Sequence, residues 1–247
     1  MPFFTRTTNT QNTSADRVAL VIGATGGVGQ KSVDDLLENG FRVIAVGRDR
    51  HKLGRLVARL EQYKNKLHTI CADIQATDDV RHIRDRIAEF GYLDLLILAA
   101  GITCNKTTGA TENEIHDVIN SNLLGPVFVI NDLLPLLLRA NAPLVICLSS
   151  RAGKIGFADK GIYGASKAGL QLYMSALSSD PALNKIRFTV LCPGWINTPM
   201  AINGGCLRDR DSILQPGDIS SLMLWLVNSP ERVRIKEIVI ETSPIGH

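Results

Sequence analysis

The 247-residue chain lacks the patterns of a metal site. None of its five cysteines, at positions 71, 104, 147, 192 and 206, forms a CxxC pair, and none of its five histidines belongs to an HxxxH or HExxH pattern. Zinc chemistry is not indicated, and no metal is expected. Cys71, Cys147 and Cys192 sit inside apolar strand-like runs and read as buried free thiols, whereas Cys104 and Cys206 fall in loop-like stretches that could be exposed. Free thiols of this kind suit a reducing cytoplasm. No apolar run reaches the roughly 20 residues that cross a bilayer. A formal net charge of +3 is too small and too dispersed to call for nucleic acid or an anionic membrane as partner. Residues 1–16 lack the apolar stretch of about 7–15 residues that a secretory signal needs. They read as a disordered extension, with a mitochondrial presequence the weaker alternative because Arg6 is the single base before Asp16.

What is present is an ordinary globular balance, 45% hydrophobic and 21% charged, enough to fill a sizeable core. Apolar strand-like runs at 17–23, 41–47, 67–73, 93–101, 143–150, 187–194 and 236–241 alternate with helical stretches. The helices fall at 28–40, in a basic stretch ending near 63, and at 77–90, 112–139, 162–178 and 217–228. Pro135 is expected to kink or end the fourth of these. The strands are apolar throughout, as strands covered on both faces should be. The alternation specifies an α/β fold of Rossmann type: one doubly wound, mostly parallel sheet of about seven strands with helices on both faces. No linker or repeat interrupts residues 17–247, which are expected to form a single domain.

The first strand runs into GATGGVG, with Gly23, Gly27 and Gly29 at the turn into a helix. Glycines there permit a tight turn and close backbone approach to a pyrophosphate whose charge faces the helix N-terminus. The spacing is wider than GxGxxG, and a plain glycine-rich turn is the rival reading; the position at the first βα turn favours the nucleotide. The second strand ends in Gly47-Arg48, with Asp49 one residue later. An acidic residue at the strand end would bond the ribose 2′-hydroxyl of NAD, whereas Arg48 offers a planar fork of donors to the 2′-phosphate of NADP. A solvated basic face shared with Arg50, Lys52 and Arg55 is the bland alternative.

Further on, GIYGASK (161–167) sets Tyr163 and Lys167 four residues apart, on one face of a helix. An ammonium beside a phenol would favour the phenolate, but this spacing is common in ordinary helices and decides little alone.

Taken together these pieces resemble the short-chain dehydrogenase/reductase family, in its common single-domain branch, over about residues 17–241. The family's TGxxxGxG turn is matched by Ile22-Gly23-Ala24-Thr25-Gly26-Gly27-Val28-Gly29, with Ile in place of the leading Thr. Asp73-Ile74 resembles the acidic dipeptide beside the adenine, and Leu98-Ala99-Ala100-Gly101 stands where the family has NNAG, lacking both asparagines. Asn122, Ser150, Tyr163 and Lys167 match the catalytic positions, and Pro193, Gly194 and Thr198 match the PGxxxT turn at the nicotinamide end.

The resemblance implies an NADP(H)-dependent oxidoreductase acting on a small-molecule ketone, aldehyde or secondary alcohol, with NAD(H) ranked behind NADP(H). Tyr163 would exchange the proton at the carbonyl or alcohol oxygen. Lys167 would lower the tyrosine pKa and bond the nicotinamide ribose, Ser150 would hold the substrate oxygen, and Asn122 would position a water that links Lys167 to solvent. The rivals are an NAD-dependent alcohol dehydrogenase and a non-catalytic binding scaffold. Assembly as a homodimer or homotetramer is also implied. Residues 198–215 stand where the family carries its substrate-covering loop. Met200 is a candidate substrate contact, Gly204-Gly205 a candidate hinge, and Trp195 either lines the pocket or simply packs.

Overall fold

The computed structural model describes residues 17–242; the expected N-terminal extension at 1–16 lies outside them. Seven parallel strands form one sheet in the order β3-β2-β1-β4-β5-β6-β7. They are β1 (Val18–Ile22), β2 (Arg42–Gly47), β3 (Leu67–Cys71), β4 (Leu95–Leu98), β5 (Leu144–Leu148), β6 (Arg187–Pro193) and β7 (Glu237–Ile240). The helices are α1 (Gly27–Glu38), α2 (Arg50–Arg59), α3 (Thr77–Ala88), α4 (Glu112–Ile119), α5 (Gly125–Arg139), α6 (Gly161–Ser179), α7 (Pro199–Asn203) and α8 (Pro216–Asn228). The β–α alternation thus gives the doubly wound fold expected.

Every residue of β1 is buried, and the pleat divides them between two cores. Val18, Leu20 and Ile22 pack with Val129, Ile130 and Leu133 of α5. Ala19 and Val21 face the other way, toward Val33 and Leu36 of α1 and Met223 of α8. Residues of alternate parity face opposite layers, so a strand covered on both faces reads as a continuous apolar run. Strand order reverses between β1 and β4, and ligands in such sheets bind in the crevice beyond the carboxyl ends at that point.

Several expectations are corrected. Cys71 is exposed, because β3 is an edge strand on which burial is partial, and Cys104, in the segment after β4, is buried. The helix at 112–139 passes through Pro135 and continues to Arg139. Its irregularity lies earlier, at Asn120–Leu124, which forms a π-helical turn. That whole run, Glu112–Arg139, is long and apolar enough to cross a membrane by length and composition, contrary to the reading from the sequence, but half of its most apolar window is buried in the protein. Helix α7, inside the stretch read as loop, was not anticipated; Pro199 opens it at a position where a missing N–H costs nothing.

Candidate active site

At the carboxyl end of β1 the chain turns through Gly23, whose φ is +84°. A β-carbon there would stand 2.6 Å from the backbone nitrogen of Ala100, so only glycine lets the turn and the end of β4 touch. Gly29 is equally constrained, since a β-carbon would lie 2.1 Å from the Gly23 carbonyl. Helix α1 begins after Gly26 with no side-chain cap and no acidic residue in its first turn. The amide N–H groups of that turn have no intrahelical partner and carry partial positive charge, the arrangement that accepts an anion. Val28 is buried beneath the turn, and Thr25 packs against Gly47, where a β-carbon would lie 2.9 Å from Cγ2. The glycine turn and the end of β2 are therefore neighbours.

Arg48 follows directly and pairs with Asp73 across the strand ends, Nη1 to Oδ2 at 3.5 Å. Asp49 has a different task. Its carboxylate accepts the Lys52 N–H at 3.0 Å as the N-cap of α2, and this bond holds its pKa below the usual value. Ile74 belongs to the core, where Gly125 packs so closely that a β-carbon would lie 2.8 Å from Ile74 Cγ1.

Beyond β4, β5 and β6 opens a cavity of about 260 Å³. Ala99, Ala100, Gly101, Ser150, Tyr163, Lys167, Pro193, Gly194, Trp195, Thr198 and Met200 all line it. Thr198 joins the cavity to the glycine turn, because a β-carbon on Gly27 would stand 2.6 Å from its Cγ2. The Lys167 ammonium is buried, donates to the Leu148 carbonyl at 3.1 Å, and lies 5.9 Å from the centre of the Tyr163 ring. The Ser150 hydroxyl accepts the Ala152 N–H at 3.1 Å, which leaves its own proton for another acceptor. Trp195 both lines the cavity and packs, since a β-carbon on Gly204 would lie 3.0 Å from its ring.

Asn122 is fully buried behind this wall. Its Oδ1 accepts the Ile102 N–H at 2.8 Å, and its Nδ2 donates to the Ile102 carbonyl at 2.9 Å and to Ser166 Oγ at 3.1 Å. Oδ1 reaches toward the same place as the Lys167 ammonium. A β-carbon on Gly101 would meet them at 3.0 and 3.3 Å respectively.

Supporting residues escaped the reading from the sequence. Gln171 donates to Ser149 Oγ and to the Ser150 carbonyl, both at 2.9 Å, fixing the strand end that presents Ser150. The signal was available, because 163, 167 and 171 succeed one another at i+4 on one helix face. Ser166 gives its proton to the Tyr163 carbonyl at 2.7 Å while accepting from Asn122. Lys160 and Asn105, far apart in sequence, carried no such signal. Among the described residues no cluster of His, Cys, Asp and Glu could hold a metal ion.

Comparison with known proteins bears on the family and the fold. An uncharacterised oxidoreductase of Staphylococcus saprophyticus is 26% identical over 230 residues, covering 91% of this chain and 97% of the relative. A counterpart in Staphylococcus aureus is 28% identical over 228 residues, covering 91% and 96%. A short chain dehydrogenase of Shigella flexneri solved with NADP superposes with a TM-score of 0.83 at 25% identity, over 91% of this chain and 96% of its own. An alcohol dehydrogenase from the archaeon Thermococcus sibiricus, solved with 5-hydroxy-NADP, shares the fold at a TM-score of 0.83 and 21% identity, covering 92% and 97%. The short chain dehydrogenase family profile matches residues 17–205, a span that takes in the glycine turn, Ser150, Tyr163 and Lys167. With that match over most of its length, the chain belongs to the short-chain dehydrogenase family of oxidoreductases.

Proposed function

We propose that the protein is an NADP(H)-dependent carbonyl reductase or alcohol dehydrogenase acting on a small-molecule ketone or aldehyde and the corresponding alcohol. The observation that carries this reading is the convergence of Ser150, Tyr163 and Lys167 on one cavity that continues past Thr198 to an uncapped helix N-terminus. The residues fit the cofactor. Gly23, Thr25, Gly26, Gly27, Val28 and Gly29 would hold the pyrophosphate, with Arg48 at the 2′-phosphate and Asp73 and Ile74 at the adenine. Ala99, Ala100, Gly101, Pro193, Gly194 and Thr198 would flank the nicotinamide half. Binding of NADP by the Shigella relative supports the choice, as does the engagement of Asp49 as a helix cap.

When bound, the cofactor supplies or accepts the hydride. The chain's own task is to hold the substrate and move a proton. Ser150 donates its free proton to the substrate oxygen and orients it. The Tyr163 hydroxyl gives its proton to that oxygen in reduction and takes it back in oxidation. Lys167, anchored on the Leu148 carbonyl, keeps a positive charge beside the phenol, which favours the phenolate left after transfer. Asn122 stands behind Lys167 in the water relay. Trp195 and Met200 form the substrate-facing wall. Assembly as a homodimer or homotetramer belongs to the same reading, in which a partner subunit would cover Leu172, 74% exposed on α6, and the free cysteines suit the cytoplasm.

The test is Tyr163→Phe, assayed by NADPH oxidation against a panel of carbonyl compounds. Turnover is expected to disappear while NADPH binding, followed by fluorescence titration, stays within about twofold, because the lost hydroxyl serves the transferring proton rather than cofactor binding. Turnover comparable to the unmodified protein would overturn the assignment.

A further inference from the structure

Lys160 is buried, with 7% of its surface exposed, and sits on the wall of the substrate cavity. An ammonium so placed needs all three of its protons engaged. One goes to Asn105 Oδ1, one to the Gly204 carbonyl at 2.8 Å, and the third faces Asp159 Oδ2 at 3.2 Å. With its donors committed, Lys160 has none to spare for a substrate anion. Asn105 in turn donates from Nδ2 to the Asn203 carbonyl at 2.8 Å. Two successive carbonyls at the C-terminal end of α7, which a helix of five residues leaves without internal partners, are thus both taken up from outside.

The same contacts tie three separate segments together. Thr107 donates to the Ala158 carbonyl and accepts the Gly161 N–H at 2.9 Å, stitching the segment after β4 to the start of α6. The Lys160 carbonyl accepts the Gly164 N–H at 2.6 Å in the first turn of the helix that carries Tyr163. The Trp195 ring lies on Gly204, 5.9 Å from the Lys160 ammonium. Helix α7 itself contributes Met200 and Ala201 to the cavity.

We infer that Lys160 and Asn105 form a latch that fastens α7 over the cavity, so that the wall bearing Met200 is held at a fixed distance from the Tyr163 helix. Both are positioning residues, and their effect on substrate rests on the oxidoreductase reading above. The fastening itself does not, and it can be measured without cofactor or substrate. Hydrogen–deuterium exchange on the ligand-free protein reads the amides of Ala201, Gly204 and Cys206, each bonded within this turn. In Lys160→Met and in Asn105→Ala these amides are expected to exchange at least tenfold faster, with α6 and the sheet unchanged. Lys160→Arg, which keeps donors, is expected to restore part of the protection. In a Trp225→Phe background, where Trp195 is the remaining tryptophan, its emission should shift to the red in Lys160→Met.

With substrate, KM is expected to rise on the order of tenfold, equivalent to one charge-assisted hydrogen bond, with kcat changed much less. Unchanged exchange at 201–206 in both variants overturns the latch, and so does acceleration spread evenly over the sheet. Faster exchange with an unaltered KM overturns the positioning of substrate. Should Lys160→Met fail to fold, Asn105→Ala, at an exposed position, decides the same question.

Discussion

Arg48→Ala separates the two nicotinamide cofactors. Arg48 leaves the end of β2 with 55% of its side chain exposed and meets Asp73, itself 38% exposed, at 3.5 Å. A hydrogen bond to a charged group contributes about 1.5–3 kcal/mol, whereas a surface ion pair contributes about 0–1 kcal/mol. Gripping a 2′-phosphate at the expense of the Asp73 pair therefore leaves a net gain of about 0.5–3 kcal/mol. At about 1.4 kcal/mol per decade, the NADPH dissociation constant should rise about 2- to 150-fold in Arg48→Ala, toward the lower end for so exposed a site. NADH lacks the phosphate, and its affinity should change less than about twofold. Calorimetric titration of both cofactors at low and at physiological salt provides the measurement, and the NADPH effect should shrink as salt screens the exposed site. Equal losses for the two cofactors would refute the phosphate argument, and no loss for either would show that the Asp73 pair is the guanidinium's only role.

The remaining expectations concern close packing, thiols and a helix cap. Gly27→Ala puts a methyl 2.6 Å from Thr198 Cγ2, so NADPH affinity should fall, and Thr198→Ser, which removes that methyl, should recover much of it in the double variant; absence of recovery would break the link between the turn and Thr198. Burial pushes the Cys147 and Cys192 thiols up to about 12 and about 11, so in native protein at pH 8 a thiol reagent should label exposed Cys71 and spare these two. Mass spectrometry of the labelled peptides checks the order. The Glu114 carboxylate accepts from Lys106 and from the Thr111 N–H, which lowers its pKa to about 2. Its contribution to stability should be complete well above the unfolded pKa of about 4.3 and fade as pH falls toward about 2. The difference in urea midpoint between the protein and Glu114→Gln should accordingly narrow from pH 7 to pH 4.

The sheet was legible because its strands are short, apolar and regularly spaced, and because each helix between them is long enough to cross over. What escaped was what depends on neighbours in space. Cys71 reads as core from its own run, yet β3 lies at the edge of the sheet. Pro135 reads as a kink or an end, yet the helix does not end there, and Leu133, Leu136 and Leu137 on either side of it are buried in the core. In the site, motifs anchored on single side chains could be placed from the sequence. Lys160, Asn105 and Ser166 could not, because each takes its meaning from a backbone carbonyl or side chain brought close by the fold.

The absent asparagines after β4 show how the site is supported without them. The Ala99 N–H continues the ladder to the Ile22 carbonyl at 2.9 Å. Ala99 and Ala100 pack against opposite cores, and their backbone lies so close to Gly23 that a β-carbon there would stand 2.6 Å from the Ala100 nitrogen. Two residues on from Ala100, Ile102 is clamped through both its N–H and its carbonyl by Asn122. Asn122 reaches it from within the π-helical turn at Asn120–Leu124, a distortion frequent at functional sites. This clamp and the bond to Ser166 Oγ together spend both donors of the Asn122 amide, and the clamp takes one acceptor site of Oδ1. What remains for the proposed proton relay is the second lone pair of Oδ1, on an atom that shares the Gly101 gap with the Lys167 ammonium. A side chain at 101 would fill that gap. Of the two NNAG residues that this chain retains, Ala100 and Gly101, the glycine is thus the one that keeps open the gap between Asn122 Oδ1 and the Lys167 ammonium.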